Sequence, residues 1–521
     1  MWPTTSLNHS WPDLKTINVA ITLNRTMLDS ISHLLAYNPD EPLIFSSGLF
    51  LFLFLGFSFV YMLLQRQRVL RLLFVTAFSY YFYYKSSGVY FVLLAIVTVS
   101  DYFIAAGIWN YRQRHPERRL LPKLLVALSL CIGLGMLGYF KYTNFFAGLI
   151  ARMVDFNFQP WDIFLPVGIS FFTFQSLSYT IDVYRGQLKP LPSLLDYAFF
   201  VSFFPQLVAG PIVRARDFAP QIRHPLVVTS DMFAKGVFLI SIGLFKKAVI
   251  SDYISLNFVD RIFDNPGLYS GIENLLGLYG YALQIYCDFS GYSDMAIGLA
   301  LLLGFHFPMN FNAPYVSSSI TEFWRRWHIS LSTWIRDYIY ISMGGNRKGK
   351  LRTYVNLVVT MLLGGLWHGA SLNFVAWGGM HGLALAAHKY FRTDVLHHDR
   401  NYRSHGLRKA LACIITFHFV CFTWIFFRNG TFEASGVMLK QIFTDFHPEL
   451  FWQVVVNYKY VFMLIALGYL THFIPDSWQE RMIYCLKRGN IVVDALLITA
   501  VIYIVIQIKS STIQPFIYFQ F

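Results

Sequence analysis

Twelve long apolar stretches succeed one another from Leu43 to near the C-terminus: 43–64, 69–84, 89–110, 124–141, 163–184, 233–251, 274–305, 353–369, 372–390, 409–427, 452–473 and 491–508. A bilayer core of about 30 Å is crossed by roughly 20 apolar residues in a helix. Lipid offers backbone groups no hydrogen-bond partner, so such stretches must satisfy their own N–H and C=O groups as helices. No soluble domain or low-complexity linker separates them. The expected fold is therefore all-α, a polytopic integral membrane protein. Short stretches and internal Gly and Pro, with the ambiguous runs 142–158 and 196–210, set the expectation at ten to thirteen membrane helices, some re-entrant. Composition agrees: charged residues are 13% of the chain, about half the usual quarter, too few to clothe a soluble surface of this size.

The chain is nevertheless basic, with 42 Lys and Arg against 28 Asp and Glu, a net +14. A nucleic-acid binder carries such charge as patches on a soluble domain. Here it falls in short runs between apolar stretches, so no nucleic-acid partner is expected and the charge reads as membrane topology. Arg66, Arg68 and Arg71 follow the first stretch, and Arg112, Arg114, Arg118, Arg119 and Lys123 follow the third. Both runs placed in the cytoplasm put the N-terminus outside. Arg347, Lys348, Lys350 and Arg352, then Arg392, Arg400, Arg403, Arg408 and Lys409, and finally Lys487 and Arg488 give the same parity, with Phe521 outside. The five cysteines form no CxxC pair and no His cluster has zinc spacing, so neither a disulfide framework nor a metal is expected. Residues 1–42 are polar and mixed and form an extracytoplasmic or interfacial extension to a membrane domain at 43–521. Within the extension, Ile17, Ile21, Leu28, Ile31 and Leu35 share one face of a possible helix, which either lies in the interface or docks an extracytoplasmic partner.

Polarity at bilayer depth, costing about 2.5–3.5 kcal/mol per ionisable group, marks candidate sites. Three segments qualify. In QIYCDFSGYSD, Gln284 to Asp294, Gln284 and Asp288 share a helical face with Gly291 one turn further on. The acids there either serve function or pair with arginines of a neighbouring segment. In TEFWRRWHISLSTWIRD, Thr321 to Asp337, Ser319 and Glu322 make an S-x-x-E capping box. One helix is expected, with Phe323, Trp327, Leu331, Trp334 and Tyr338 on one side and Arg325, His328, Ser332 and Arg336 on another. It either lies on the membrane surface or lines a cavity for an anionic, phosphate-bearing substrate. In the third, Asn356, Thr360, Gly364 and His368 recur every four residues along an apolar helix. That stripe is either a close-packing seam or the mounting of a general base, since a neutral imidazole can take a hydroxyl's proton during attack on an acyl group. His381 and His388 follow on the next helix without a third ligand. No nucleophile elbow, phosphate-binding glycine loop or dinucleotide glycine pattern is present. The residues by themselves describe a membrane protein with a polar, basic cavity holding two histidines, compatible with an acyltransferase and with a broken-helix transporter.

These segments resemble the membrane-bound O-acyltransferases, most closely their alginate O-acetyltransferase branch. The resemblance is carried by PVGISFFTFQ (166–175), DVYRG (182–186), FPQLVAGP (204–211), the stretch from Tyr286 to Asp294, NAPY (312–315), FWRRWHISLS (323–332), GGNR (344–347), LWHGA (366–370) and the closing FIYFQF (516–521). It implies a catalytic histidine at His368 and a second functional histidine at His328, in a fold of helices around a central tunnel. It further implies a bacterial inner-membrane enzyme with acetyl-CoA as donor substrate and no permanently bound cofactor. A polysaccharide is the implied acceptor, with an extracytoplasmic SGNH-hydrolase-like partner. Arg325, Arg326, Ser332, Arg336, Asn356 and Asp288 are candidate substrate contacts. A D-alanyl transferase of the teichoic-acid type shares the two histidines but takes its acyl group from a carrier protein. A transporter and a purely structural subunit are the remaining alternatives.

Overall fold

The computed structural model describes residues 29, 32–39, 41–223, 227–397 and 404–489, with 496, 499–500, 503 and 516–517 of the tail. Every described element is helical. The first half runs through α1 (Gly48–Leu63), α2 (Arg68–Ser87), α3 (Phe91–Arg114), α4 (Leu120–Leu137), α5 (Thr143–Met153), α6 (Ile169–Arg185), α7 (Leu194–Ser202), α8 (Ala215–Arg223) and α9 (Ser230–Leu244). The second half holds α10 (Gly271–Leu302), α11 (Ile320–Arg326), α12 (Ile329–Ile335), α13 (Lys350–His368), α14 (Leu372–Tyr390), α15 (Gly406–Arg428), α16 (Phe432–Thr444), α17 (Lys459–Leu470) and α18 (Asp476–Arg488).

The outer helices show two apolar faces, as a chain dissolved in lipid must. In α1, Phe50, Phe57 and Tyr61 are buried, whereas Phe52, Leu55, Phe59 and Met62 form an exposed stripe at helical spacing. By length and hydropathy, the described segments Arg68–Arg114, Leu120–Met153 and Gly406–Arg428 qualify as membrane-crossing. The expected span 452–473 is broken: the pair Pro448–Asn457 and Lys459–Phe473 bends by 95°. The expected span 491–508 lies almost wholly outside the described residues, as do residues 16–28 of the N-terminal face. The described Leu34 and Ala36 give their carbonyls to Lys85 Nζ at the end of α2, so this part of the extension is tied to the helical bundle.

The inner helices carry the polar segments. α10 has 32 residues, about 48 Å at 1.5 Å per residue, and nearly all are buried. It starts at a capping box in which Glu273 Oε2 accepts from Ser270 N at 2.9 Å. Its polar stripe faces α9 and the π-helical turns after it. A Cβ on Gly291 would lie 2.7 Å from Gly243 O, so small residues permit direct backbone approach there. Gln284 Nε2 donates to Ser255 Oγ at 2.8 Å. Asp288 and Asp294 pair with lysines rather than arginines, Lys247 at 2.6 Å and Lys246 at 2.7 Å. The ambiguous run 142–158 is largely α5, which continues α4 through a π-helical turn at Gly138–Tyr142. The run 196–210 lies mostly in buried helix beneath α2 and α3.

Candidate active site

Both histidines owe their placement to helix ends. Ser319 caps α11 by accepting from Glu322 N at 3.2 Å. Glu322 departs from the expected box: its carboxylate turns to Ser318 N and Oγ, at 2.9 and 2.8 Å, and to Arg326. The single helix expected over 321–337 is two short helices meeting at His328. The reason is local: His328 has φ 42° and ψ 56°, a left-handed conformation costing an L-residue about 1–2 kcal/mol. The break turns His328 away from Arg325, Ser332 and Arg336 and into the core, where it is 0% exposed. Its Nδ1 lies 3.2 Å from Asn310 Oδ1, and its buried Nε2 has no hydrogen-bond partner among the described residues. Aromatic rings wall it: Phe289 edge-on at 4.6 Å, Trp367 at 6.1 Å and Phe311 at 6.3 Å.

His368 is the last residue of α13 and is 3% exposed. The four-residue stripe before it faces the end of α12 and the segment after it. Asn356 Nδ2 donates to Gly345 O at 3.1 Å, Thr360 Oγ1 donates to Asn356 O at 2.6 Å, and Gly364 sits against Ile335. The tight seam with α14 lies one residue over, where a Cβ on Gly365 would stand 2.2 Å from Phe374 O. The final carbonyls of a helix lack intrahelical donors, and here α4 and α5 supply them through the π-helical turn. Tyr142 Oη donates to Leu366 O at 2.8 Å, and Lys141 Nζ donates to both Trp367 O and His368 O at 2.8 Å. The ammonium also sits at the negative end of the α13 dipole. Trp367 lies beside both imidazoles, and it stacks on Phe174, which stacks on Trp334.

The other sequence candidates fall into separate places. Arg325 and Arg326 line a cavity of about 800 Å³ with His388, Arg392, Arg408 and Lys409. Arg325, Ser332, Arg336, Thr360, His388 and Arg392 share an adjoining cavity of about 560 Å³. Arg336 is held there by Asp337 at 2.7 Å, and Asp337 also binds Arg214 at 2.5 Å. Thr360 lies eight residues before His368, about 12 Å along the axis. A small pocket of about 40 Å³ reaches His368 itself, lined by Lys141, Gly168, Phe171 and Trp367 among others. Two sets of cavities therefore meet α13 at different heights. Asp288 belongs to neither: it is 2% exposed, bound to Lys247, and accepts from the tail amide Ile517 N at 2.8 Å. The adjacent Phe516 packs on Phe289, the ring that borders His328. Tyr518 to Phe521 lie outside the described residues. Both ring nitrogens of His381 are engaged in packing, with Trp324 Nε1 at 3.3 Å and Thr423 Oγ1 at 2.9 Å.

Sequence reading missed Asn310, Lys141, His388 and Arg392 as site residues. Lys141 did leave a signal, a lone charge at the end of the apolar stretch 124–141, opposite the basic loop that opens it. Asn310 left none, because only the tertiary contact with His328 distinguishes it from any loop asparagine.

An all-helical membrane protein that buries two imidazoles near one tryptophan, above a basic cavity, has the make-up of an integral-membrane group transferase. The chain belongs to the MBOAT, or membrane-bound O-acyltransferase, family, whose sequence model matches residues 78–428. It is an O-acyltransferase. It is 44% identical over 449 residues to a probable alginate O-acetylase AlgI of Pseudomonas syringae pv. tomato, covering 84% of this chain and 83% of that protein. It is 38% identical over 394 residues to a peptidoglycan O-acetyltransferase of Helicobacter pylori, covering 71% and 73%. A teichoic acid D-alanyltransferase of Bacillus subtilis is 31% identical over 288 residues, 53% of this chain and 71% of that protein.

Proposed function

We propose that this enzyme takes an acetyl group from acetyl-CoA on the cytoplasmic side of a bacterial inner membrane and delivers it for O-acetylation of an exopolysaccharide or envelope glycan. The observation that carries the reading is the position of His368, at the end of a helix whose middle borders a cavity bearing Arg325, Arg336 and Arg392. Phosphates of the donor match that guanidinium set. The positive-inside rule puts the Lys350 end of α13 in the cytoplasm, so His368 and the Lys141 pocket face the acceptor side, and both chain termini are extracytoplasmic. His368 takes the proton of a hydroxyl while its oxygen attacks the acetyl carbonyl carbon. The C–S bond breaks, and the thiolate leaves with the proton returned by the imidazolium. The hydroxyl belongs to the glycan or to an extracytoplasmic SGNH-hydrolase-like partner that completes the transfer. The glycan assignment follows the alginate O-acetylase and peptidoglycan O-acetyltransferase relatives.

Vesicles loaded inside with radiolabelled acetyl-CoA test this. Wild type should place label on external glycan, and His368→Ala and His328→Ala should stop it at unchanged membrane levels. Persistence of labelling in both variants sinks the assignment. Labelling from a charged carrier protein but not from acetyl-CoA would instead select a D-alanyl-type transferase, the reading favoured by the Bacillus relative.

A further inference from the structure

Asn310 is 1% exposed and binds both His328 and the two residues that follow it. Its backbone carbonyl accepts from Ile329 N at 2.9 Å. Its Oδ1 accepts from Ser330 N at 3.2 Å and from Ser330 Oγ at 2.9 Å, and its Nδ2 donates to Ser293 Oγ at 3.1 Å. The orientation of this amide is fixed, because a backbone N–H can only donate and so must face the side-chain oxygen. The same oxygen lies 3.2 Å from His328 Nδ1. An oxygen that only accepts there requires the proton on Nδ1. The lone pair of the neutral ring is then on Nε2, which is buried and unpartnered among aromatic rings.

We propose that Asn310 is a positioning residue that holds His328 in the Nδ1–H tautomer, so that His328 offers the reaction space a proton acceptor and not a hydrogen-bond donor. Resting on the acyl-transfer reading above, this assigns His328 to receive an O–H hydrogen bond or a proton during transfer. It excludes a role in which neutral His328 polarises the acetyl carbonyl, since that requires a donor at Nε2.

The test is NMR of isotope-labelled imidazole nitrogens in the full-length protein in lipid nanodiscs, with His328→Gln identifying the signal. Wild type should show a protonated Nδ1 and an unprotonated Nε2. Asn310→Ala should move or mix the tautomer and lower kcat at least about 100-fold, the kind of loss a wrong tautomer causes in an orienter–histidine pair. Asn310→Asp keeps an acceptor at Oδ1 and should retain both the tautomer and most of the activity. A wild-type Nε2–H signal overturns the proposal, as does an Asn310→Ala variant that loses activity with its tautomer unchanged. The wild-type spectrum decides even if Asn310→Ala fails to fold. It is also independent of the acyl-transfer reading, which fails separately if wild-type vesicles place no acetyl label on glycan from either acetyl-CoA or a charged carrier protein.

Discussion

Lys141→Met tests whether the end of α13 is held for catalysis or only for stability. The substitution keeps an unbranched side chain of similar length and removes the ammonium that bonds Trp367 O and His368 O at 2.8 Å each. A hydrogen bond to a charged group contributes about 1.5–3 kcal/mol, so two would amount to about 3–6 kcal/mol. The side chain is only half-buried and borders a pocket of about 40 Å³, room enough for a water to replace part of the loss. The net cost is then about 2–3 kcal/mol. Tyr142 still holds Leu366 O, so α13 should remain folded with a looser last turn. Carried into the transition state through a displaced His368, 2–3 kcal/mol is about 30- to 150-fold in kcat. Steady-state acetyl transfer in nanodiscs at varied acetyl-CoA reads this as a fall in kcat with donor KM little changed, and Lys141→Arg should recover part of it. A Lys141→Met enzyme with lowered thermal stability but kcat within threefold of wild type would refute the reasoning, leaving Lys141 a structural cap.

Two further outcomes follow from the charges elsewhere. Lys247→Met should cost about 3–5 kcal/mol, because it removes the cation shared by Asp288 and Asp252 and leaves the Asp288 charge with the Ile517 N–H in a site where the Lys247 and Asp288 side chains are 4% and 2% exposed. Adding Asp288→Asn should return part of that, a coupling measurable by thermal unfolding in a double-mutant cycle. Arg325→Gln combined with Arg392→Gln removes two guanidinium groups from the basic cavity and should raise KM for acetyl-CoA about tenfold, with kcat the less affected constant. An unchanged KM would remove this cavity from the donor path.

The membrane fold was legible because lipid acts on the sequence directly: an apolar run must satisfy its own backbone groups as helix wherever its neighbours lie, although the 95° bend within 452–473 was not written in its hydropathy. His368 was legible for a related reason, since a four-residue repeat of small and polar residues on an apolar helix is a one-dimensional signal of a face turned inward. His328 was only half legible. Its identity stood out, but helical periodicity placed it with Arg325 and Arg336, and the left-handed turn at that residue puts it elsewhere. Asp288 stood out for its burial, yet its partners Lys247 and Ile517 N come from 41 residues before it and 229 after it.

The sequence by itself therefore determined a helical membrane chain and the two imidazoles to watch, because hydropathy and residue chemistry are properties of local composition. Tertiary structure decided the rest. It brought Asn310 to Nδ1 of His328, set Lys141 and Tyr142 on the last carbonyls of α13, and separated the arginine cavity from His368 by about two turns of helix. Each depends on which groups meet across the bundle, and a hydrogen bond formed between distant segments leaves no periodicity in either of them.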